Sequence, residues 1–355
     1  MVDFSEKSVR AQLMSKVFMD AADPILIEDL DGLVIDLNGE AERSYGWSRE
    51  QLVGRPIKTI VPPERYTQAD DLLARCKAGE DVRNIEGLRW TRGKEIVPVL
   101  LSLSLLKDEK GQAAAIATIS KDISALKQAE EEIALTQDVT IESMGTLAEY
   151  RDPETGGHIK RTREYIRLLA GHLKDHPKFK DVLDDPTIEL LYKSAPLHDI
   201  GKVGIPDGIL LKAGKLTDDE FEIMKKHTAY GMETIAIQEE RLGDNSFLRF
   251  AREIAATHQE KWDGTGYPEG LKGEEIPVVG RLMAIADVYD ALISKRVYKP
   301  SFPHKKAVEI ISEGKGIHFD PDMVEAFLEL EDEFRKIALE HADFDEEKKN
   351  LNRGS

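Results

Sequence analysis

A histidine and an aspartate stand together in His198-Asp199-Ile200-Gly201-Lys202, and further potential metal ligands follow at nearly equal intervals: His227 lies 29 residues on, His258 another 31 and Asp287 another 29. Adjacent side chains on a helix point about 100° apart, so the pair can serve neighbouring metals only if other helices deliver the remaining ligands. The even spacing fits one ligand per successive helix of a bundle, the way facing helices build metal centres. This constrains the C-terminal half to an all-α architecture. His158, 40 residues before His198, adds an imidazole, and Glu154 sits four residues before it in Pro153-Glu154-Thr155-Gly156-Gly157-His158. If the helix extends back that far, both face the same side.

Periodicity supports burial of these groups. Ile166, Leu169 and Leu173 recur at helical spacing after His158, with Thr162 between, so His158 heads a core-facing stripe. Leu191, Ala195 and His198 share a helical face, as do Asp287, Asp290 and Ser294. A lone histidine is more often a hydrogen-bonded core side chain than a ligand. Here nine histidines are present, none precedes His158, and four fall at the spaced positions. His172, His176, His304, His318 and His341 lack such partners and read as structural or solvent-exposed.

At these residues the chain resembles the HD-GYP family, bacterial phosphodiesterases of the HD superfamily that hydrolyse cyclic di-GMP. The resemblance runs through most of 138 to 335 and includes His198 to Pro206, Gly214-Lys215-Leu216-Thr217, Met224-Lys225-Lys226-His227, Gly266-Tyr267-Pro268, Ala286-Asp287-Val288-Tyr289-Asp290-Ala291-Leu292 and His318-Phe319-Asp320-Pro321. It implies that His158, His198, Asp199 and Asp287 hold one metal, that Asp199 bridges to a second, and that His227 and His258 bind that second ion. Glu154 matches the position that helps bind a third in some members. Mixed imidazole and carboxylate ligation suits iron or manganese, and zinc is compatible with the same ligand types. Two ions close together activate water and neutralise phosphoryl oxygens, so no nucleophilic side chain is required.

One position departs from the family pattern. Two adjacent histidines commonly precede the Gly-Tyr-Pro loop, whereas this chain reads His258-Gln259-Glu260. Gln259 is therefore either a weaker, amide-oxygen ligand of the second metal or a hydrogen-bonding partner for a water at the site. The alternative to an enzyme is a degenerate module that binds metal or nucleotide and signals through protein contacts.

The substrate imposes a further condition. With 67 acidic against 49 basic residues and a net charge of −18, the chain opposes generic binding of a polyanion such as DNA. A nucleotide must be held locally. Lys202, Arg296 and Lys299 match family positions that meet the phosphates of cyclic di-GMP, Arg through a bidentate fork and Lys as a point charge. Tyr267 either packs against the domain or lines the cleft, and in the second case joins them as a substrate-binding residue. Gly264, Gly266 and Pro268 read as shaping the loop, with Asp263 hydrogen-bonded inside it.

The N-terminal third follows a different period. Short alternating runs such as Ile25 to Asp29 and Leu33 to Asp36 flank an Asp31-Gly32 turn and predict a hairpin. Further strands are expected over Val97 to Leu105 and Ala113 to Ile119. The layout, with Asn38, Gly46-Trp47-Ser48 and a closing Asp122-Ile123, resembles a PAS sensor domain over residues 12–125: an α+β fold of antiparallel sheet and flanking helices. It holds no histidine for haem, and Cys76 reads as a small semi-buried side chain, so the sequence names no ligand for it.

A connecting helix is expected over 126–147, with Leu126, Ala129, Ile133 and Thr136 or Thr140 at heptad-like spacing. Its seam is too short and polar for an independent coiled coil, so a parallel homodimer would need both this helix and the PAS-like domain. The all-α HD-type bundle follows over 148–340, and 341–355 is a charged tail expected to be disordered from Asp343. No apolar run approaches the roughly 18 residues of a membrane helix. Met1 to Lys7 lacks a signal peptide's apolar segment, and the single cysteine allows no intrachain disulfide. A cytoplasmic location is expected.

Overall fold

The computed structural model describes residues 7–150, 157–243, 246–294 and 301–352. The chain forms two compact units, Met1–Ala134 and Leu135–Ser355.

The first unit is built on five antiparallel strands, β1 (Ile25–Glu28), β2 (Val34–Leu37), β3 (Val82–Trp90), β4 (Ile96–Lys107) and β5 (Ala113–Asp122), in the order β2-β1-β5-β4-β3. The β1–β2 hairpin turns at Asp31-Gly32 as its sequence predicts. Asp29 Oδ1 accepts from the amides of Asp31 and Leu33 at 2.9 and 2.8 Å, and Gly32 takes φ 81°. One sheet face is covered by short helices and by the helix Tyr66–Lys77, which buries Leu72 and Cys76 against Val82, Val99, Leu101, Leu103 and Ile116. Asn38, fully buried, caps the helix Gly39–Tyr45 by accepting from Ala41 N and also accepts from Ile25 N, tying helix to sheet. This is the α+β arrangement expected from the PAS resemblance.

A 27-residue helix, Ser124–Tyr150, follows the sheet, and the division between the units falls within it. Its Glu- and Ala-rich first half favours helix. Leu126, Ile133, Leu135, Val139, Met144 and Leu147 are more than half exposed on it.

The second unit is all helical. Its core joins Tyr165, Ile166 and Leu169 of helix His158–Leu173, Leu191 of helix Asp185–Ser194, Ile254 of helix Ser246–Thr257, and Leu282 to Ala286 of helix Val278–Ile293. Tyr165 stacks on Phe334 at 4.6 Å, and Tyr289 meets the same ring edge-on at 5.4 Å. Fully burying each such side chain contributes about 1.5–3 kcal/mol.

The C-terminal segment corrects the expectation of disorder. Asp345–Leu351 is a helix: Leu351 joins the core, Asn350 Nδ2 donates to Ser301 Oγ at 2.7 Å, and Glu347 accepts from the amides of Asp343 and Phe344. Three anchored residues outweigh the high local charge. Among the described residues no helix is long and apolar enough to cross a membrane.

Candidate metal centre

Helix Asp185–Ser194, capped by Asp184 accepting from Thr187 N at 2.8 Å, cannot continue past Pro196, which lacks an amide hydrogen. The chain tightens into two 3₁₀ turns, Ala195–Leu197 and Ile200–Gly204, with His198 and Asp199 at the junction. That break is why neighbours in sequence reach one centre. On a regular helix they would diverge, whereas here His198 Nε2 and Asp199 Oδ2 are 3.3 Å apart. The glycine at 201 then admits close packing, because a Cβ there would collide with the His227 carbonyl oxygen. Helix Lys226–Leu242 presents His227 in its first turn, His158 opens helix His158–Leu173, and His258 directly follows helix Ser246–Thr257. The ligands thus gather at helix ends and turns, not along the middles of successive helices as the even spacing suggests; Asp287, inside helix Val278–Ile293, is the exception.

All four imidazoles are turned the same way. Nδ1 of His198, His227 and His258 faces the carbonyl of Ala195, Met224 and Ile254 at 2.9, 2.8 and 3.0 Å, and His158 Nδ1 faces Asp290 Oδ2 at 2.8 Å. An oxygen acceptor at Nδ1 requires the proton there, so each neutral ring presents a lone pair at Nε2. Those lone pairs face each other: His158 and His198 Nε2 are 3.3 Å apart, and His227 and His258 Nε2 are 3.4 Å apart. Two opposed lone pairs need a cation between or beside them, whether proton or metal.

Asp199 supplies the complementary charge. It is 4% exposed, and among the described residues its Oδ1 has no hydrogen-bond partner although His227 and His258 Nε2 lie at 3.4 and 3.5 Å. Burial alone would raise its pKa, but Lys202, 2.7 Å from Oδ2, and His198 outweigh it and hold the carboxyl well below the usual range. Burial also opposes protonation of His198, yet Asp199 and Asp287 reverse the balance and raise it. His227 is pushed down to about 4, chiefly by burial. A carboxylate that favours its ionised form, beside inward-facing imidazole lone pairs, fits divalent cations with nitrogen and oxygen ligands.

Ligand atoms fall into two groups, Glu149 with His158 and His198, and Asp199 with His227 and His258, each within 4.8 Å. Asp287 Oδ1 approaches His158 Nε2 to 3.8 Å. Glu149 was not singled out by sequence reasoning. It lies at the end of the connecting helix, 3% exposed, with Oε1 3.4 Å from His158 Nε2. Its only sequence signal was an acid ending a helix nine residues before His158. Glu154, expected near His158, lies outside the described residues, as do Arg296 and Lys299.

The Gly-Tyr-Pro loop is held from beneath. Glu260, 2% exposed, accepts from the amides of Glu269, Gly270 and Leu271 at 2.8, 3.1 and 3.1 Å, and Asp263 Oδ1 accepts from Thr265 N and Oγ1. Gly264 has φ 86°. Tyr267 meets the His227 ring edge-on at 6.1 Å, and burial followed by the charges of Asp199 and Asp287 raises its hydroxyl pKa. Gln259 is half-buried, its carbonyl accepting from Tyr267 N at 3.2 Å.

A family model for the HD domain matches residues 143–323, and one for the PAS fold matches 18–128. A cyclic di-GMP phosphodiesterase of Vibrio cholerae is 56% identical over 236 residues, covering 66% of this chain and 48% of that protein. A 3'3'-cGAMP-specific phosphodiesterase 2 of the same organism is 44% identical over 195 residues, covering 55% and 35%. A cyclic di-GMP phosphodiesterase of Thermotoga maritima is 42% identical over 205 residues, covering 58% and 52%. The chain thus spans about half or less of the length of these relatives.

Proposed function

The chain belongs to the HD-domain family, and from that premise we propose that it is a metal-dependent phosphodiesterase that opens cyclic di-GMP to linear pGpG, with further hydrolysis to GMP as a second step. The observation that carries this reading is the opposition of imidazole Nε2 atoms in two pairs, His158 with His198 and His227 with His258, three of the four rings lying within 3.5 Å of one ionised aspartate, Asp199. The relatives named for cyclic di-GMP hydrolysis support the substrate, and the one named for 3'3'-cGAMP makes that dinucleotide the natural competitor in a test.

His158, His198, Asp199 and Asp287, joined by Glu149, would hold one ion, and Asp199, His227 and His258 the other. Iron or manganese suits this donor set. Divalent ions there supply Lewis acidity toward a phosphoryl oxygen and lower the pKa of water. The protein's own residues do the rest. Backbone carbonyls and Asp290 keep each imidazole in the tautomer that leaves Nε2 unprotonated. Lys202 balances Asp199 and offers a buried cation to a phosphate oxygen, with Arg296 and Lys299 as further phosphate partners. Tyr267, against His227, walls the cleft with an un-ionised hydroxyl.

The first unit, as a PAS-like domain, would regulate this activity. A second copy of the chain would pair through it and through the exposed Leu126 and Ile133 of the connecting helix. The cytoplasm, where cyclic dinucleotides are made, is the corresponding location.

The test is product analysis with protein loaded separately with iron(II) and manganese(II) under reducing conditions, offered cyclic di-GMP and 3'3'-cGAMP in parallel. Linear pGpG formed in proportion to bound metal is the expected result. Full metal occupancy with no turnover of either dinucleotide overturns the enzymatic reading.

A further inference from the structure

Helix His158–Leu173 starts without a side-chain cap of its own, because Gly157 before it has no side chain to offer. A carboxylate reaches the position from 186 residues along the chain: Asp343 Oδ1 accepts from Gly157 N at 3.1 Å. Asp343 Oδ2 accepts from Arg161 Nη1 at 2.9 Å, and the His341 carbonyl accepts from the same nitrogen at 2.8 Å. Gly157 has φ −78° and ψ −18°, a conformation open to any residue, so its backbone does not call for glycine. The requirement is space: a Cβ there would collide with Arg161 Nη1 and lie 2.6 and 2.7 Å from the His341 carbonyl oxygen and Asp343 Oδ2.

These contacts bear on the metal centre through geometry. A guanidinium is a rigid planar fork, so fixing Arg161 Nη1 on one side fixes the Nε and Nη2 edge that grips Asp290, and Asp290 faces His158 Nδ1. Asp343 also holds the amide immediately before His158. The segment that carries it is firmly built in. Glu347, 2% exposed, accepts from the amides of Asp343 and Phe344 at 3.1 and 3.3 Å, Asn350 donates to Ser301, and Leu351 lies in the core. It stands beyond residues 143–323, the stretch matched to the HD domain. We propose that residues 341–351 form a clamp on the metal centre, with Asp343 as a positioning residue that sets His158 through both its backbone and its ring. This rests on the reading of His158 as a metal ligand. Opening the clamp lets His158 shift away from His198, while His227 and His258, held by other elements, keep their places.

The experiment uses the full-length protein, stripped by chelator, labelled with ¹⁵N-histidine and titrated with zinc(II), a diamagnetic ion that the same ligand types accept. Each ring Nε2 signal then reports the ion at its own site. Saturable shifts of His158, His198, His227 and His258 are expected in the wild type. Asp343→Asn keeps the shape but leaves one acceptor for two donors. In it the half-saturation concentration for His158 and His198 should rise at least about threefold relative to that for His227 and His258, less than the roughly 10- to 100-fold typical of a partner that touches the ligand itself. Gly157→Ala opens the same clamp from the other side, should move the ratio in the same direction, and decides the matter if Asp343→Asn does not fold. Phe334→Leu disturbs the core at Tyr165, seven residues along the helix from His158. It should lower the unfolding midpoint and leave the ratio at its wild-type value. An unchanged ratio in the folded clamp variants overturns the proposal, and so does an equal shift in Phe334→Leu. Wild-type rings that do not respond to zinc overturn the metal-centre reading itself, an outcome distinct from zinc binding that the clamp variants leave intact.

Discussion

His158 Nδ1 lies 2.8 Å from Asp290 Oδ2, and Asp290 is itself gripped by Arg161 through Nε at 2.6 Å and Nη2 at 3.0 Å. The three side chains are 1–2% exposed. Arg161 also donates to the His341 carbonyl and to Asp343, so the start of the C-terminal segment is tied to the same network. Asp290 has a depressed pKa: burial opposes ionisation, but Arg161 and His158 outweigh it.

Asp290→Ala should therefore act in two ways. His158 loses the acceptor that fixes its tautomer, which typically weakens metal affinity about 10- to 100-fold. Arg161 is left as a buried charge without its main partner, at a cost of about 3–5 kcal/mol. Metal titration and denaturant unfolding read the two effects separately. Unchanged metal affinity in a folded Asp290→Ala protein would show that His158 is positioned by other means.

Asp199→Ala should fold but lose turnover and metal from both groups of ligands, because this carboxylate approaches His198, His227 and His258 together. Elemental analysis beside the turnover assay checks it. Near-normal hydrolysis with unchanged metal content removes the shared-carboxylate mechanism.

Glu149→Gln keeps the side chain's shape while removing its charge, so it should weaken metal retention at His158 and His198 more than at His227 and His258. Metal stoichiometry during stepwise chelation should fall from two toward one at lower chelator concentration than in the wild type. Identical chelation curves exclude Glu149 from the centre.

Why Glu149 escaped sequence reading, while the histidines did not, is a matter of what each residue type reveals. A histidine is scarce, and four at regular intervals after an N-terminal third with none form a pattern against little background. Glu149 is one of 67 acidic residues, in a helix whose other acids are exposed or half-buried. Its burial comes from tertiary packing at the helix end. Likewise, the kink that lets His198 and Asp199 converge depends on Pro196, a local feature that residue spacing alone does not express. The hairpin at Asp31-Gly32 was legible because turn chemistry is local. The helix Asp345–Leu351 was not, because its charge predicts solvation, while the contacts that bury it, such as Asn350 with Ser301, come from residues distant in sequence.

Stability should decline with acid through His304. Burial and Arg335 push this imidazole down to about 4, and its Nδ1 lies 2.8 Å from the Tyr289 hydroxyl. Between its ordinary value near 6.5 and about 4 the unfolded chain binds the proton and the folded chain does not. The contribution is fully present above pH 6.5 and is lost as pH falls toward 4, amounting to about 1–2 kcal/mol after solvent screening. Chelator-treated wild type and His304→Gln, unfolded in urea between pH 7 and 4.5, should differ in slope, the wild type losing more. Parallel curves would place the acid sensitivity elsewhere.

Gln259 offers the sharpest test of the centre. It follows His258 directly, its carbonyl anchors the Tyr267 amide, and it stands where the family pattern commonly has a second histidine. A neutral amide oxygen donates less strongly than imidazole to iron or manganese. If Gln259 faces the ions as a weak ligand, Gln259→His should tighten the ion at His227 and His258 and raise turnover when metal is limiting. If its amide instead orients a water at the centre, the imidazole should displace that water, and the reaction should slow even as metal binds more tightly. A metal titration of both proteins, reading occupancy and the rate on cyclic di-GMP at each point, separates these cases. Higher occupancy with a higher rate supports the ligand deficit, and higher occupancy with a lower rate supports the water-orienting amide. Superimposable titrations mean that the Gln259 side chain does not reach the centre, and the family difference at this position is then a matter of loop packing beneath Tyr267.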